Sequence, residues 1–294
     1  MKPAPFEYSA PESLDETLAL LADCAERDEE AKPIAGGQSL TPMLALRLAY
    51  VDRLVDLRRV AELRGAERRD GGLWIGATTT QAAVQRSPDV TAVAPLFARA
   101  TPLIGHFQIR NRGTIGGSLA HADGSAEYPA VAVALDARIE VASRRGTRTI
   151  PATEFFTGFL STELAPDELL TGVSVPAWSG RCGYAVEEFA RRHGDFAIAG
   201  VAVAVALDED ARIRRCGIGL FGVGATPVRA VDAETALIGA AADEVSTTDV
   251  GHAALSGLAG VPSDLHGSAD YRKRVGAALV ARALGNALRE ARHG

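Results

Sequence analysis

Apolar residues recur at helical spacing at Leu14, Leu18 and Leu21, behind the capping box Ser13-Leu14-Asp15-Glu16, which predicts a helix over 13–26. Lys32-Pro33-Ile34-Ala35 reads as a short strand. Pro42 predicts the first turn of a helix over 42–48, capped by Ser39 or Thr41. Strands are expected at 53–57 and, after Gly71-Gly72, at 73–77. Thr79 or Thr80 opens a helix through Val84, and 90–100 reads as one helical stretch. Residues 101–124 show little periodicity, and a stretch this long without clear elements is usually functional. A helix at 128–135, a strand at 138–141 and a strand at 169–175 ending on Pro176 complete the first part.

Pro176-Ala177-Trp178-Ser179-Gly180 marks a boundary. Three strands are expected beyond it, at 183–191, 197–207 and 212–222, then helices at 230–240, 246–259 and 269–291. Strands followed by helices predict an α+β layer, an antiparallel sheet with helices on one face. The Ala/Gly/Asp-rich segment 239–251 reads as a surface linker. No internal repeat is visible.

Length, 294 residues, calls for two or three subdomains, and 47% hydrophobic residues can fill them. A net charge of −6 argues against a nucleic-acid partner, which needs a basic surface. The longest apolar stretch, 197–207, suits a buried strand, and no charge-free run reaches transmembrane length. No signal-peptide pattern opens the chain, so a cytoplasmic location is expected. Cys24, Cys182 and Cys216 form no C-x-x-C, and the His residues show no H-x-x-x-H or H-E-x-x-H spacing. Neither an iron–sulfur cluster nor a metal site is expected on this chain.

Two glycine pairs carry the chemistry: Ala35-Gly36-Gly37-Gln38-Ser39-Leu40 and Thr114-Ile115-Gly116-Gly117-Ser118. Each is expected to be a turn after a strand-ending apolar residue. Glycine lets backbone N–H groups approach a phosphate closely. Two such turns can grip a pyrophosphate from both sides, which predicts a dinucleotide site. Neither fits G-x-G-x-x-G or the P-loop motif. Arg110 and Arg112 either neutralise phosphate or face solvent, and His106 and His121 read as structural hydrogen-bonding groups. Arg191-Arg192-His193 reads as a solvated face or a subunit contact. No catalytic residue is assigned.

The two glycine segments, in this order and with Ile109-Arg110-Asn111-Arg112-Gly113 leading into the second and Leu119-Ala120-His121-Ala122-Asp123 following it, resemble the FAD-binding subunit of the molybdenum hydroxylases. That family includes the medium subunit of carbon monoxide dehydrogenase and the flavin part of xanthine dehydrogenase. Pro5-Phe6-Glu7-Tyr8, Leu54-Val55-Asp56-Leu57, Ile75-Gly76-Ala77-Thr78-Thr79, Gly194-Asp195-Phe196 and Tyr271-Arg272 extend the resemblance almost end to end.

The resemblance implies a two-part FAD-binding α/β domain of the PCMH type over 1–177, with subdomains of about 1–58 and 59–177. A C-terminal α+β domain over 178–294, like that of the carbon monoxide dehydrogenase flavoprotein, would follow. It implies non-covalent FAD against Ile34, Ala35, Gly36, Gly37, Gln38, Ser39 and Leu40, and against Thr114, Ile115, Gly116, Gly117 and Ser118. Asp123 and Glu127 would accept hydrogen bonds from ribitol or ribose hydroxyls. Ile104 and Leu169 would border the cofactor, and Phe196 would offer its ring to the isoalloxazine. Family members often carry His at Gln38, Asn at Ser118 and Tyr at Phe196; a cofactor-contacting Lys of some relatives falls near Glu187-Glu188 and is not carried over.

The implied function is electron transfer. Electrons would arrive from [2Fe-2S] clusters on a small partner subunit and leave for NAD, a quinone or oxygen. Molybdenum–pterin would sit on a large subunit, in a dimer of heterotrimers. Two alternatives are a self-sufficient FAD-dependent oxidase and a cofactor-free scaffold subunit.

Overall fold

The computed structural model describes residues 2–69 and 71–293. Ser13 is extended, and its hydroxyl accepts from the Glu16 amide at 3.1 Å to start α1 (Leu14–Glu26). The Glu16 carboxylate accepts in turn from the Glu12 amide. Leu18 and Leu21 of α1 are buried against Val55, Leu57, Leu63 and Leu169. Three parallel strands, β1 (Glu7–Ser9), β2 (Ala31–Ile34) and β3 (Arg53–Asp56), pair in the order β1-β3-β2. α2 (Leu40–Ala45) follows β2. It starts and ends earlier than 42–48: Ser39 is already helical and makes no side-chain cap, and Arg47 turns left-handed at φ 58°, which closes the helix.

The second sheet is antiparallel. β4 (Ala66–Arg69), β5 (Gly72–Gly76), β6 (Arg138–Ser143), β7 (Gly146–Pro151) and β10 (Leu169–Pro176) take the order β4-β5-β10-β6-β7. Between β7 and β10 lie α9 (Ala152–Phe155) and the hairpin β8 (Phe156–Gly158) and β9 (Ser161–Thr162).

Helices α3 (Gln81–Arg86), α4 (Pro88–Val93) and α5 (Pro95–Ala100) follow β5. The single stretch expected over 90–100 is broken because Pro95 bars Ala94 from the helical region, and Ala94 sits at φ −132°, ψ 57°. Residues 101–124 are not structureless. They hold α6 (Phe107–Arg110) and α7 (Ile115–His121), and α8 (Glu127–Ala134) comes just after. The second glycine pair lies inside the first turn of α7 rather than in a turn after a strand.

The third sheet is β11 (Arg181–Phe189), β12 (Ala199–Leu207), β13 (Ile213–Phe221) and β14 (Val228–Arg229), antiparallel in chain order. α10 (Val231–Leu237), α11 (Thr247–Ser256) and α12 (Ala269–His293) follow. β12 is buried throughout. Val201, Val203 and Val205 pack with α12, while Ala202 and Ala204 join the core around Tyr128 and Val131 of α8. Helices of the C-terminal part thus cover one face, and α8 covers the other. A Cβ at Gly217 or Gly219 would strike the Ala134 or Ala130 carbonyl of α8, so β13 and α8 touch backbone to backbone.

The segment 239–251 is not a surface linker. Its Gly239 amide donates to Ile213, its Ala240 carbonyl accepts from Ile213, Ala242 is buried and α11 begins at Thr247. Asp136 joins the two halves by accepting from Arg215 at 2.5 Å and from Arg229, and Arg99 pairs with Glu290 at 2.6 Å. No helix among the described residues is long and apolar enough to cross a membrane.

Candidate functional site

β1, β2 and β3 point their carboxyl ends at a cleft of about 410 Å³, as expected of ligand sites on parallel sheets. Tyr8, Ile34 and Asp56 line it from the strand ends, with the first glycine loop, Thr41, Pro42, Arg58 and Arg112 around them. Gly37 takes φ 71°, which glycine adopts without strain. Gly36 lies so close to the Arg112 carbonyl that a Cβ would overlap it, with Gly113 Cα at 2.7 Å. The Gln38 amide donates to the Gly36 carbonyl at 2.8 Å and fixes the loop. Among the described residues, the backbone N–H groups of Gly36, Gly37, Gln38 and Ser39 make no hydrogen bond. Such a run of unpaired donors is the kind of arrangement by which a backbone can hold an anion.

The second segment faces the first. A Cβ on Gly117 would lie 3.9 Å from the Ala35 methyl. Its amides, however, are already employed. Ile115 donates to Thr79, Gly116 to Ala77 and Ser118 to Thr114 main-chain carbonyls. Gly117 donates to the Thr114 hydroxyl at 3.0 Å, which caps α7. The expectation that the amides of 114–118 all meet a phosphate therefore fails, because a helix start consumed them. The Thr114 N–H and the Ser118 hydroxyl remain unpaired among the described residues.

Ile34 and Leu40 are half-buried and pack on the Leu44 and Leu54 cluster, with Ile34 at the edge of the cleft, whereas Ile115 is fully buried and can offer only main-chain groups to a ligand. Leu169 is buried with Leu18, Leu21 and Val55 and is not brought to the cleft by its side chain. Ser39 is exposed.

A second group gathers further along. Arg110 donates to the carbonyls of Ile104 and Gly105 at 3.0 and 2.9 Å. Gly194 leans on Gly105 and His106, and the His106 and His193 rings stand 6.3 Å apart. Phe196 is 72% exposed. Asp123 accepts from the Ser125 amide. His121, whose burial lowers its imidazole below the ordinary value against the opposing pull of Asp123, stands half-buried.

Glu127 opens α8 with 9% exposure, and burial together with Glu188 and Asp123 pushes its carboxyl up to about 8. Burial pushes Glu188 up to about 7.

Sequence reasoning missed Tyr8, Asp56 and Arg58. The Tyr8 hydroxyl donates to Asp56 at 2.5 Å, and Arg58 reaches both Asp56 oxygens at 2.8 and 3.1 Å. Burial pushes the Asp56 carboxyl up, but these hydrogen bonds outweigh it and leave it below the usual range. The available signal was position alone: both Tyr8 and Asp56 sit in strands that end at the cleft.

A family model described as "FAD binding domain in molybdopterin dehydrogenase" matches residues 4–178, and one described as "CO dehydrogenase flavoprotein C-terminal domain" matches 184–287. The chain belongs to the FAD-binding medium subunits of the molybdenum hydroxylases. This medium subunit is 42% identical to the 6-hydroxypseudooxynicotine dehydrogenase complex subunit alpha of Paenarthrobacter nicotinovorans, over 99% of this chain and 97% of that one. It is 37% identical to the carbon monoxide dehydrogenase medium chain of Hydrogenophaga pseudoflava, over 97% of each.

Among solved structures, carbon monoxide dehydrogenase from Hydrogenophaga pseudoflava superposes with a TM-score of 0.93 at 38% identity, covering 99% of both chains. Quinoline 2-oxidoreductase from Pseudomonas putida 86 superposes at 0.91 with 37% identity, covering 99% of both. The fold is that of the medium chain: an FAD-binding part followed by a C-terminal part built on an antiparallel sheet. The medium subunit is an FAD-binding member of an oxidoreductase complex.

Proposed function

We propose that this medium subunit holds FAD between its two glycine segments and relays electrons from iron–sulfur clusters of a small partner subunit to an external acceptor. The observation that carries the reading is the run of unpaired amides at Gly36–Ser39, in a loop whose first residue, Ala35, lies close to Gly117 of the second segment. When bound, FAD supplies the electron-transfer chemistry, while the chain supplies position and electrostatics.

The Gly36, Gly37, Gln38 and Ser39 amides donate to one phosphate, and the Thr114 amide and Ser118 hydroxyl donate to the other. Arg58 and Arg112 lend positive charge at the rim. Asp123 and Glu127 serve the sugar or ribitol hydroxyls, and Ile104 and Phe196 offer apolar surface to the isoalloxazine. Leu169 completes the set through its main chain.

The FAD-binding domain spans 1–177, in two parts meeting near residue 58, and the C-terminal domain spans 178–294. The partners are a small [2Fe-2S] subunit and a large molybdenum–pterin subunit, in a cytoplasmic dimer of heterotrimers. The acceptor is NAD, a quinone or oxygen.

The test is a visible spectrum of the chain purified alone and then incubated with FAD. Bound-flavin bands that disappear in a Gly36→Val variant of native circular dichroism support the reading. Absence of flavin binding by the wild-type chain, alone and in its complex, overturns it.

A further inference from the structure

Arg272, in the first turn of α12, is 4% exposed, and a buried charge is costly unless it is paired and hydrogen-bonded. Its partners come from three separate segments. One terminal nitrogen, Nη1, donates to the Ile198 carbonyl at 2.7 Å and to the Gly222 carbonyl at 2.9 Å. The other, Nη2, donates to both Asp264 oxygens, at 2.9 and 2.7 Å. Its Nε is sealed from solvent without a partner, a penalty that the rest of the fork has to outweigh. Ile198 stands one residue before β12 and Gly222 one residue after β13, and Gly200 and Phe221 form the last pair of that ladder. The guanidinium therefore ties the two strands together where their own pairing ends. A planar fork with fixed donor directions suits this task, and a Lys ammonium does not reproduce it.

Each strand end held in this way leads to a flavin-side candidate. Ile198 closes the loop from residue 190 that carries Phe196, and its amide donates to the Phe189 carbonyl at 2.8 Å across the base of that loop. Residues 191–193, 195 and 196 are exposed, and the Phe196 ring, at 72% exposure, has little packing of its own to place it. Further out, the loop rests on the FAD-binding half. A Cβ on Gly194, whose φ is 87°, would come within 3.0 Å of the His106 ring and 3.2 Å of the Gly105 main chain. On that side Arg110 holds the Ile104 and Gly105 carbonyls. The Gly222 amide donates to the Gly124 carbonyl at 2.8 Å, next to Asp123, and a Cβ on Gly222 would press on the Ala197 and Ile198 carbonyls. Ile104, Asp123 and Phe196 thus sit on three loops whose contacts run to one guanidinium.

We propose that Arg272 is a positioning residue of the flavin side, which fixes the loop between β11 and β12 and so holds Phe196 over the isoalloxazine of FAD. The inference rests on the cofactor reading above and adds a residue for which that reading has no role. An exposed ring is placed by the anchorage of its loop, and here the anchor is a buried side chain on another element. A guanidinium that only stabilised the C-terminal half would change the melting temperature and leave the covering of the flavin as it is. A positioning guanidinium changes the covering through Phe196.

The experiment uses the full chain carrying Arg272→Lys, which keeps the charge and loses the fork. In the cofactor-free chain, trypsin should cut at Arg191–Arg192 at least about threefold faster than in wild type, because the loop opens locally more often. With FAD bound, iodide should quench the flavin fluorescence at least about twofold more effectively, and the visible circular dichroism of the flavin should change. In a Phe196→Ala background the same substitution should add little to the quenching, as for two residues that act through one another. Asp136→Ala, which loosens the two halves elsewhere, should leave both the quenching and the cleavage at Arg191–Arg192 as in wild type. Wild-type quenching in Arg272→Lys, full additivity with Phe196→Ala, or an equal rise in Asp136→Ala overturns the positioning role. If Arg272→Lys lacks the native circular dichroism, Asp264→Asn at its exposed position decides in its place: faster cleavage at Arg191–Arg192 supports the anchor, and a wild-type rate overturns it. Failure of the wild-type chain to bind FAD overturns the cofactor reading and this role together, and is distinct from flavin that binds and is quenched alike in every variant.

Discussion

A β-carbon at Gly36 has no space, because the Arg112 carbonyl and Gly113 occupy it; a β-carbon at Gly117 meets only the Thr114 hydroxyl at 2.9 Å before reaching Ala35. The two glycines therefore answer to different constraints. Gly36→Ala should push the first loop away from Arg112, costing about 1–3 kcal/mol of stability together with at least tenfold in FAD affinity. Gly117→Ala gains about 1 kcal/mol of helical preference but crowds the Thr114 hydroxyl that caps α7, so the melting temperature should stay roughly level while FAD affinity falls. Thermal melts paired with fluorescence titration check both, and a Gly117→Ala chain of wild-type affinity would remove Gly117 from the site.

The buried carboxyls set a second expectation at this scale. Glu127 and Glu188 are raised in the folded chain, so their contribution is fully present below about pH 4.5 and is lost as pH climbs toward about 7–8. Asp56 and Asp136 are lowered, so theirs is present above about pH 4 and is lost as pH falls through their folded values. Cofactor-free chain should be most stable between these limits, and Glu127→Gln should flatten the alkaline fall in melting temperature. An unchanged alkaline slope in that variant would mean that other groups cause it.

α7 is the element through which the second glycine segment works, and one side chain starts it. Thr114→Ala removes the hydroxyl that accepts from Gly117 and should cost about 1 kcal/mol, or roughly 2–4 °C, with an accompanying loss of FAD affinity. Thr114→Ser should restore both, measured by calorimetry and titration; failure of the Ser variant to restore them would show that the methyl group, not the cap, matters.

This helix also shows what the sequence did and did not reveal. α1 was legible because Ser13, Glu16 and the Leu14–Leu18–Leu21 stripe agree locally, and β12 because an unbroken apolar run can only be buried on both faces. The first glycine loop was legible as a turn, since its strand precedes it immediately. α7 was hidden because two glycines outweigh a single capping Thr in any local reading. β4 and β7 were hidden for another reason: Ala66–Arg69 and Gly146–Thr149 are largely solvent-facing, so no alternation of apolar residues marks them. Asp56, Arg58 and Tyr8 converge only because β1 and β3 pair side by side, a fact of topology that residues 48 or 50 apart do not announce.

For the whole molecule, the two halves are joined by charge at the rim and by bare backbone at the centre. Asp136 holds Arg215 and Arg229, and Arg215 stacks over Trp178 at 4.0 Å, beside the segment that leads from one half to the other. Asp136→Ala should cost about 1 kcal/mol after allowance for solvent screening. It should also speed proteolytic cleavage near 177–181, seen on a gel time course, and equal cleavage rates would show that the link is held by other contacts.

The seat of α8 on Gly217 and Gly219 bears on how such chains can be recombined. A chimera joining residues 1–177 of this chain to the second half of a relative brings together a helix and a strand that were never fitted to each other. If the donor strand carries even a methyl at either place, the Ala130 or Ala134 carbonyl is pushed outward. The tilt is then felt at Glu127, the first residue of that helix. The halves are therefore heritable as a matched pair, and a successful graft is one whose donor strand is equally shallow.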